Sequence, residues 1–193
     1  MTEDKKFFNK EVENALAVLR SGGVILYPTD TIWGLGCDAT NATAVSKIYR
    51  IKKREDDKQF ILLMADERQI LKYVSAPDLA VFDFLENQSR PTTAIFDGAI
   101  YLPDELTSDG TIAIRIVKDE FCRHLIKRLQ KPIVSTSANI SGQPPPSIFP
   151  EISDEIKKQA DHIVQWRQND LIPREPSQII KWLQDGTYTI IRS

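Results

Sequence analysis

Apolar residues recur along this chain in two rhythms, one of three to four residues and one of two, and the switches between them mark out the elements. Between Val12 and Leu19 the positions Val12, Ala15, Leu16 and Leu19 follow helical spacing, and Gly22-Gly23 supply a stop, so a helix is predicted to end near Arg20. The short apolar run Val24-Ile25-Leu26-Tyr27, broken by Pro28, reads as a buried strand feeding a polar loop from Thr29 to Asp38. Asn41 is a suitable N-cap for a second helix, in which Ala44, Val45, Ile48 and Ile51 form one face and Lys47, Arg50 and Arg54 another. Phe60 to Met64 has the pattern of a further buried strand, and amphipathic helical stretches follow around Glu67 to Val74 and Leu79 to Glu86.

Thr92 to Phe96 and Thr111 to Ile116 predict two more strands, with Ala94, Phe96, Ile112 and Ile114 apolar at period two. A helix from about Phe121 to Leu129 precedes a strand-like run, Pro132 to Ser135, that opens into the polar string Ser135-Thr136-Ser137-Ala138-Asn139. Ser141 to Pro150 holds four prolines and one glycine and is predicted to be a loop, placed where it could cover a ligand. A helix over Glu151 to Ala160 is followed by alternating runs at His162 to Trp166, Ser177 to Trp182 and Thr187 to Arg192, with Asp185-Gly186 as a hairpin turn. Strands alternating with helices predict an α/β fold: a twisted mixed sheet, parallel and antiparallel, with flanking helices and with chemistry on the loops at strand ends. There is no internal repeat and no linker, so one domain is expected across 1–193.

Composition narrows the class. The 193 residues are 41% hydrophobic and 27% charged, as in ordinary globular proteins. No apolar run approaches the ~20 residues of a membrane span, and the start MTEDKKFFNK lacks the features of a secretory signal, so a cytosolic location is expected. Cys37 and Cys122 are too few for a disulfide framework, and metal spacings such as CxxC or HExxH do not occur. The net charge of −2 conceals a local concentration, since Lys47, Arg50, Lys52, Lys53 and Arg54 put five positive charges into eight residues.

That cluster, with Lys58, is the first candidate for chemistry. If residues 52 and 54 point the same way from an extended segment, two cations converge on one anionic group, as a triphosphate requires. A solvated basic helix end set against the helix dipole accounts for the same residues. The second candidate is the string from Ser135 to Asn139, whose hydroxyls and amide can hold phosphate or carboxylate, or alternatively form an ordinary cap or turn. Neither a GxSxG elbow nor a Ser/His pairing is present. Gly34-Leu35-Gly36-Cys37-Asp38-Ala39 matches GxGxxA, but the first glycine comes seven residues after Tyr27, which is the wrong place for a dinucleotide loop; a Walker A motif is absent. Cys37 reads as a small packed residue. Arg115, on the opposite side of its strand from Ile112, Ile114 and Ile116, is either an anion ligand or an exposed ion-pairing residue.

Taken together these segments resemble the YrdC-like family. Its loop YPT[DE]-x-x-[YFW]-G-[LV]-G-C-D corresponds to Tyr27 to Asp38, its K-x-R to Lys52 and Arg54, and its S-T-S-A-N-x-S-G to Ser135 to Gly142. Thr92-Thr93 ahead of a strand, Ala113 to Arg115 and a final Pro176 to Ile179 complete the set in family order. The resemblance implies a fold with a concave basic cleft and synthesis of threonylcarbamoyl-AMP and pyrophosphate from ATP, L-threonine and bicarbonate. Magnesium would ride on the triphosphate, and a second enzyme system would pass the group to adenosine 37 of tRNA. Lys52, Arg54, Ser137 and Asn139 would handle the phosphates, and Thr31, Thr93, Arg115 and Ser135 would shape the threonine and nucleotide pocket. Lys58 would join them as a substrate ligand and Ser177 would lie at the edge.

The chain departs from the family pattern at Glu55, at Ser89-Arg90-Pro91-Thr92 and at Lys118-Asp119-Glu120, which bears on the pocket rim. It matches the short form, which relies on partner proteins. Two other readings remain. One is a non-catalytic RNA-binding or ribosome-associated protein, against which a pI near 5.8 weighs. The other is carbamoyl-adenylate chemistry, which related domains perform in larger hydrogenase-maturation proteins. The synthase reading requires that the cations after the second helix and the turn after Val134 face each other across a cavity.

Overall fold

The computed structural model describes residues 2–53, 60–107, 109–183 and 185–193. Helix α1 (Glu3–Arg20) starts under a Thr2 cap and stops at Ser21-Gly22, where Gly22 takes φ +79. Strands β1 (Ile25–Tyr27) and β2 (Gly34–Gly36) follow, then α2 (Ala42–Lys52), capped by the Asn41 side chain on the Ala44 N–H as its sequence predicts. Next come β3 (Ile61–Met64), α3 (Glu67–Tyr73), α4 (Ala80–Glu86), β4 (Thr92–Asp97), α5 (Asp104–Thr107) and β5 (Thr111–Ile116). The chain continues through α6 (Glu120–Leu129), β6 (Ile133–Ser137), a 3-10 turn at Phe149–Glu151, α7 (Asp154–Gln159), β7 (His162–Ile163), β8 (Gln178–Trp182) and β9 (Tyr188–Arg192).

Nine strands among the described residues form one mixed sheet in the order β7-β1-β2-β6-β3-β5-β4-β8-β9. The β1–β7, β3–β5 and β4–β8 pairs are parallel, and the remaining neighbours are antiparallel, including the β8–β9 hairpin predicted at Asp185-Gly186. Successive residues of the continuous apolar runs point to opposite sheet faces, and both faces are covered. Ile25, Tyr27, Leu63 and Ile133 pack under α1 and α6, whereas Leu26, Leu62, Met64 and Val134 join the larger core with α2, α3 and α4. Among the described residues no helix is long and apolar enough to cross a membrane.

Several expectations need correction. The stretch from Thr29 to Asp38 is not loop throughout, because β2 lies within it, antiparallel to both β1 and β6. The hydroxyl string is not loop from Ser135 onward either, since β6 carries it to Ser137. The strand predicted over His162 to Trp166 is confined to His162–Ile163, the helix predicted from Glu151 begins at Asp154, and α5 has no counterpart in the periodicity.

Contacts at β2 explain the misleading GxGxxA match. A Cβ on Gly36 would lie 2.6 Å from the Tyr27 ring and 2.8 Å from the Val134 carbonyl oxygen, and one on Gly34 would lie 3.1 Å from the Thr136 oxygen. These glycines let a strand squeeze between β1 and β6 with no side chain on the crowded face; they cradle no dinucleotide.

Candidate functional site

Strand register puts most of the candidate residues on a single face of the sheet. Ile61 stands opposite Ala113 and Ser135, Leu63 opposite Arg115, Thr93 opposite Ile179, and Ile179 opposite Arg192, so these side chains share one side of the pleat. That face is roofed by α1 and α6 at the β1 end, where Tyr27, Leu63 and Ile133 are apolar. Beyond the roof it borders a cavity of about 270 Å3, close to the lower bound of roughly 300 Å3 for small-molecule sites. Arg115, Ser135, Ser137, Ser177 and Arg192 line the cavity from the sheet, Thr31 and Trp33 from the loop after β1, and Pro145 from the proline-rich segment.

The loop after β1 is fixed from within. The Thr29 hydroxyl accepts from the Thr31 N–H at 3.0 Å and donates to the Ile32 carbonyl at 2.8 Å, which turns Thr31 toward the cavity. Arg167, itself at φ +62, donates to the Thr29 carbonyl at 3.2 Å and pairs with Asp119 at 2.9 Å, tying the loop to the cap of α6. At the far end of the motif Asp38 accepts from the Thr40 N–H and hydroxyl and from Lys131, which places it in the structure of the turn.

Lys52 is the last residue of α2, and Lys53 closes the helix in the left-handed region at φ +49. Lys52 does not face the turn after Val134 across a cavity, because its ammonium touches that turn; the expectation for Arg54 and Lys58 falls on residues outside those described. Lys52 is 2% exposed, and its ammonium donates to the Ser137 carbonyl at 2.6 Å, the Asn139 carbonyl at 2.7 Å and Asn139 Oδ1 at 3.2 Å. The Asn139 amide in turn donates to the Ile140 and Gln143 carbonyls. Lys52 and Asn139 therefore brace the turn, and Ser137 of that trio reaches the cavity wall. Arg54 and Lys58 lie outside the described residues.

Arg115 is buried and 3.0 Å from Asp30, with side chains 4% and 11% exposed. The contact is an ion pair without a hydrogen bond: Arg115 Nε and Nη2 and Asp30 Oδ1 have no hydrogen-bond partner among the described residues. Buried donors left in this condition call for an acceptor. Thr93, fully buried, does not reach the cavity; its hydroxyl lies 2.8 Å from that of Ser177 and supports it from below. Arg192 donates to the Ser177 carbonyl at 2.8 Å. Burial first, and the nearby charge of Arg115 second, hold the Arg192 guanidinium below its ordinary value.

Sequence reasoning had not singled out Arg192, Asp30 or Trp33. Arg192 could have been found by extending the face that carries Arg115 across to the last strand. Cys37 and Cys122 are both fully buried, and burial pushes both thiols up, so neither is a nucleophile. A larger cavity of about 780 Å3 is lined by Asp30 and by Ser89, Arg90, Pro91, Thr92 and Lys118, from two segments where the chain departs from the family pattern.

A nine-stranded mixed sheet with this order and with basic and hydroxyl side chains grouped on one open face defines a class of fold, and it agrees with the comparisons to known proteins. Residues 17–193 match the Sua5/YciO/YrdC family, described as telomere recombination, and the chain belongs to that family. It is 35% identical over 140 residues to a threonylcarbamoyl-AMP synthase of Coxiella burnetii, covering 72% of this chain and 75% of that one. A threonylcarbamoyl-AMP synthase of Stenotrophomonas maltophilia is 32% identical over 169 residues, 86% of this chain and 91% of the relative. The crystal structure of P. abyssi Sua5 complexed with L-threonine superimposes with a TM-score of 0.82 at 24% identity, over 94% of this chain and 53% of the longer Sua5 chain. That last likeness is one of fold.

Proposed function

We propose that this protein is an L-threonylcarbamoyladenylate synthase, consuming ATP, L-threonine and bicarbonate and releasing pyrophosphate. The observation that carries the reading is the buried Arg115, whose unspent N–H groups border a cavity shared with Ser135, Ser137, Ser177, Thr31 and a second guanidinium, Arg192. Relatives more than 30% identical over most of the chain carry that activity in their names.

In this reading the threonine nitrogen attacks the carbon of bicarbonate, water leaves, and a carbamate oxygen attacks the α-phosphorus of ATP. The bond from that phosphorus to the β-phosphate oxygen breaks, and pyrophosphate departs. The protein orients the two reactants and compensates developing negative charge. Arg115 takes the threonine carboxylate, with Thr31 and Ser135 shaping the space around it. Ser137 and Arg192 face the phosphates, and Arg54 and Lys58 add cations from the segment before Phe60. Lys52 and Asn139 hold the Ser137 turn in place, while Thr93 and Arg192 hold Ser177.

Magnesium enters with the triphosphate as part of the substrate. The product goes to a partner enzyme that attaches the group to adenosine 37 of tRNA.

The test is pyrophosphate release by the purified protein. Release that requires threonine and bicarbonate together is expected, and Arg115→Gln should raise the KM for threonine at least tenfold. Release that ignores threonine, or that needs carbamoyl phosphate instead, overturns the assignment.

A further inference from the structure

Asp30 belongs to the loop after β1, yet it does not line the cavity that holds Arg115; it lines the larger one. The Asp30–Arg115 ion pair is thus a partition between the two spaces. Its 3.0 Å contact fixes the position of the guanidinium by charge, while Nε and Nη2 stay free of hydrogen bonds among the described residues. A counter-ion that forms the usual forked hydrogen bonds would occupy the same donors a substrate carboxylate needs. Here the two functions are separated: Asp30 holds the charge in place through Nη2, and Nε, without a hydrogen-bond partner among the described residues, remains for another carboxylate.

A second consequence follows from Arg192. Two guanidiniums border the smaller cavity, and the charge of Arg115 is felt at Arg192. The acid paired with Arg115 offsets the charge at that end, whereas Arg192 makes no ion pair with an acid among the described residues. Such a gradient suits a zwitterion's single carboxylate at Arg115 and a polyanion at Arg192.

We infer that Asp30 is the positioning residue for amino-acid recognition, holding Arg115 so that its unspent N–H groups meet the threonine carboxylate without themselves being consumed. This rests on the synthase reading and on Arg115 as the carboxylate ligand.

Calorimetric binding of L-threonine and of ATP, with steady-state KM and kcat, tests the role in wild type, Asp30→Asn, Asp30→Glu, Arg115→Gln and the double variant Asp30→Asn/Arg115→Gln. Circular dichroism confirms folding of each. Asp30→Asn should weaken threonine binding at least tenfold, and Asp30→Glu, whose longer side chain displaces the guanidinium, at least threefold. ATP affinity and kcat should stay within about twofold in both. In the Arg115→Gln background the Asp30→Asn change should shift threonine affinity less than twofold, because its effect passes through Arg115. An equal loss in both backgrounds, or an equal loss for ATP and threonine, overturns the positioning role. If Asp30→Asn does not fold, unchanged threonine affinity in folded Asp30→Glu overturns it as well. A wild-type protein that binds no threonine refutes the functional reading itself, whereas threonine binding insensitive to Asp30 refutes this inference alone.

Discussion

Removing the Lys52 ammonium would strand the Asn139 carbonyl, 2.7 Å from it, and would leave the Ser137 carbonyl, at 2.6 Å, with the Asn139 N–H alone among the described residues. Unsatisfied buried polar groups cost about 1–3 kcal/mol each, so Lys52→Ala should lower the melting temperature as well as activity. The activity loss should reach about a hundredfold, the scale of losing a preorganised donor array, because the Ser137 turn loses its anchor. Calorimetry together with pyrophosphate release checks both halves; an unchanged melting temperature would contradict the bracing role. That dual effect was not legible in the sequence, which marked Lys52 as a cation beside a polar string but gave no sign that the two touch. Strand alternation did set Arg115 apart from the core side of its strand. Its counter-ion was hidden because Asp30 reaches it only through the three-dimensional path of a loop.

Among the elements, β2 depends most on the absence of side chains. Gly36→Ala would put a methyl 2.6 Å from Tyr27 and 2.8 Å from the Val134 oxygen, where both neighbours are core or backbone. Overpacking of this kind costs about 1–3 kcal/mol, and at roughly 2–4 °C per kcal/mol for a chain of this size the melting temperature should fall measurably in a thermal scan. The two glycines were visible in the sequence, but three residues of strand between crowded neighbours have no periodicity to detect, and their spacing imitated another motif. Longer runs such as Thr111–Ile116 were legible because Ile112 and Ile114 pack into the core while Arg115 turns to the cavity face, so the alternation persists along the strand.

Asp161 supplies a test at the junction of β1, α2 and β7. Burial pushes its carboxyl up, but the Lys47 ammonium at 2.6 Å and the Val24 N–H at 2.7 Å outweigh that and hold it below its ordinary value. A lowered folded-state value means that its contribution is complete above the unfolded value, about 3.9, and is lost as pH falls through the lower folded one. Asp161→Asn should therefore reduce the melting temperature at pH 7 and make progressively less difference below pH 4. A difference that persists undiminished to pH 2 would exclude the ionised contact as its source.

For the molecule as a whole, the site sits on a sheet face whose other half is sealed by α1 and α6, and its walls come from β5, β6, β8, β9 and the loop after β1. A ligand seated there bridges strands distant in sequence and should stabilise the folded chain as a unit. At a hundredfold excess over its dissociation constant a ligand adds about 2.7 kcal/mol, which at about 2–4 °C per kcal/mol raises the melting temperature by about 5–11 °C. MgATP should produce that shift in wild type and a smaller one at the same concentration in Lys52→Ala, whose Ser137 wall is no longer fixed, while threonine should still protect the variant through Arg115. A variant that loses protection by both ligands equally would mean that the turn supports the entire cavity. The opposite result, full MgATP protection of Lys52→Ala, would place the triphosphate away from the Ser137 wall altogether.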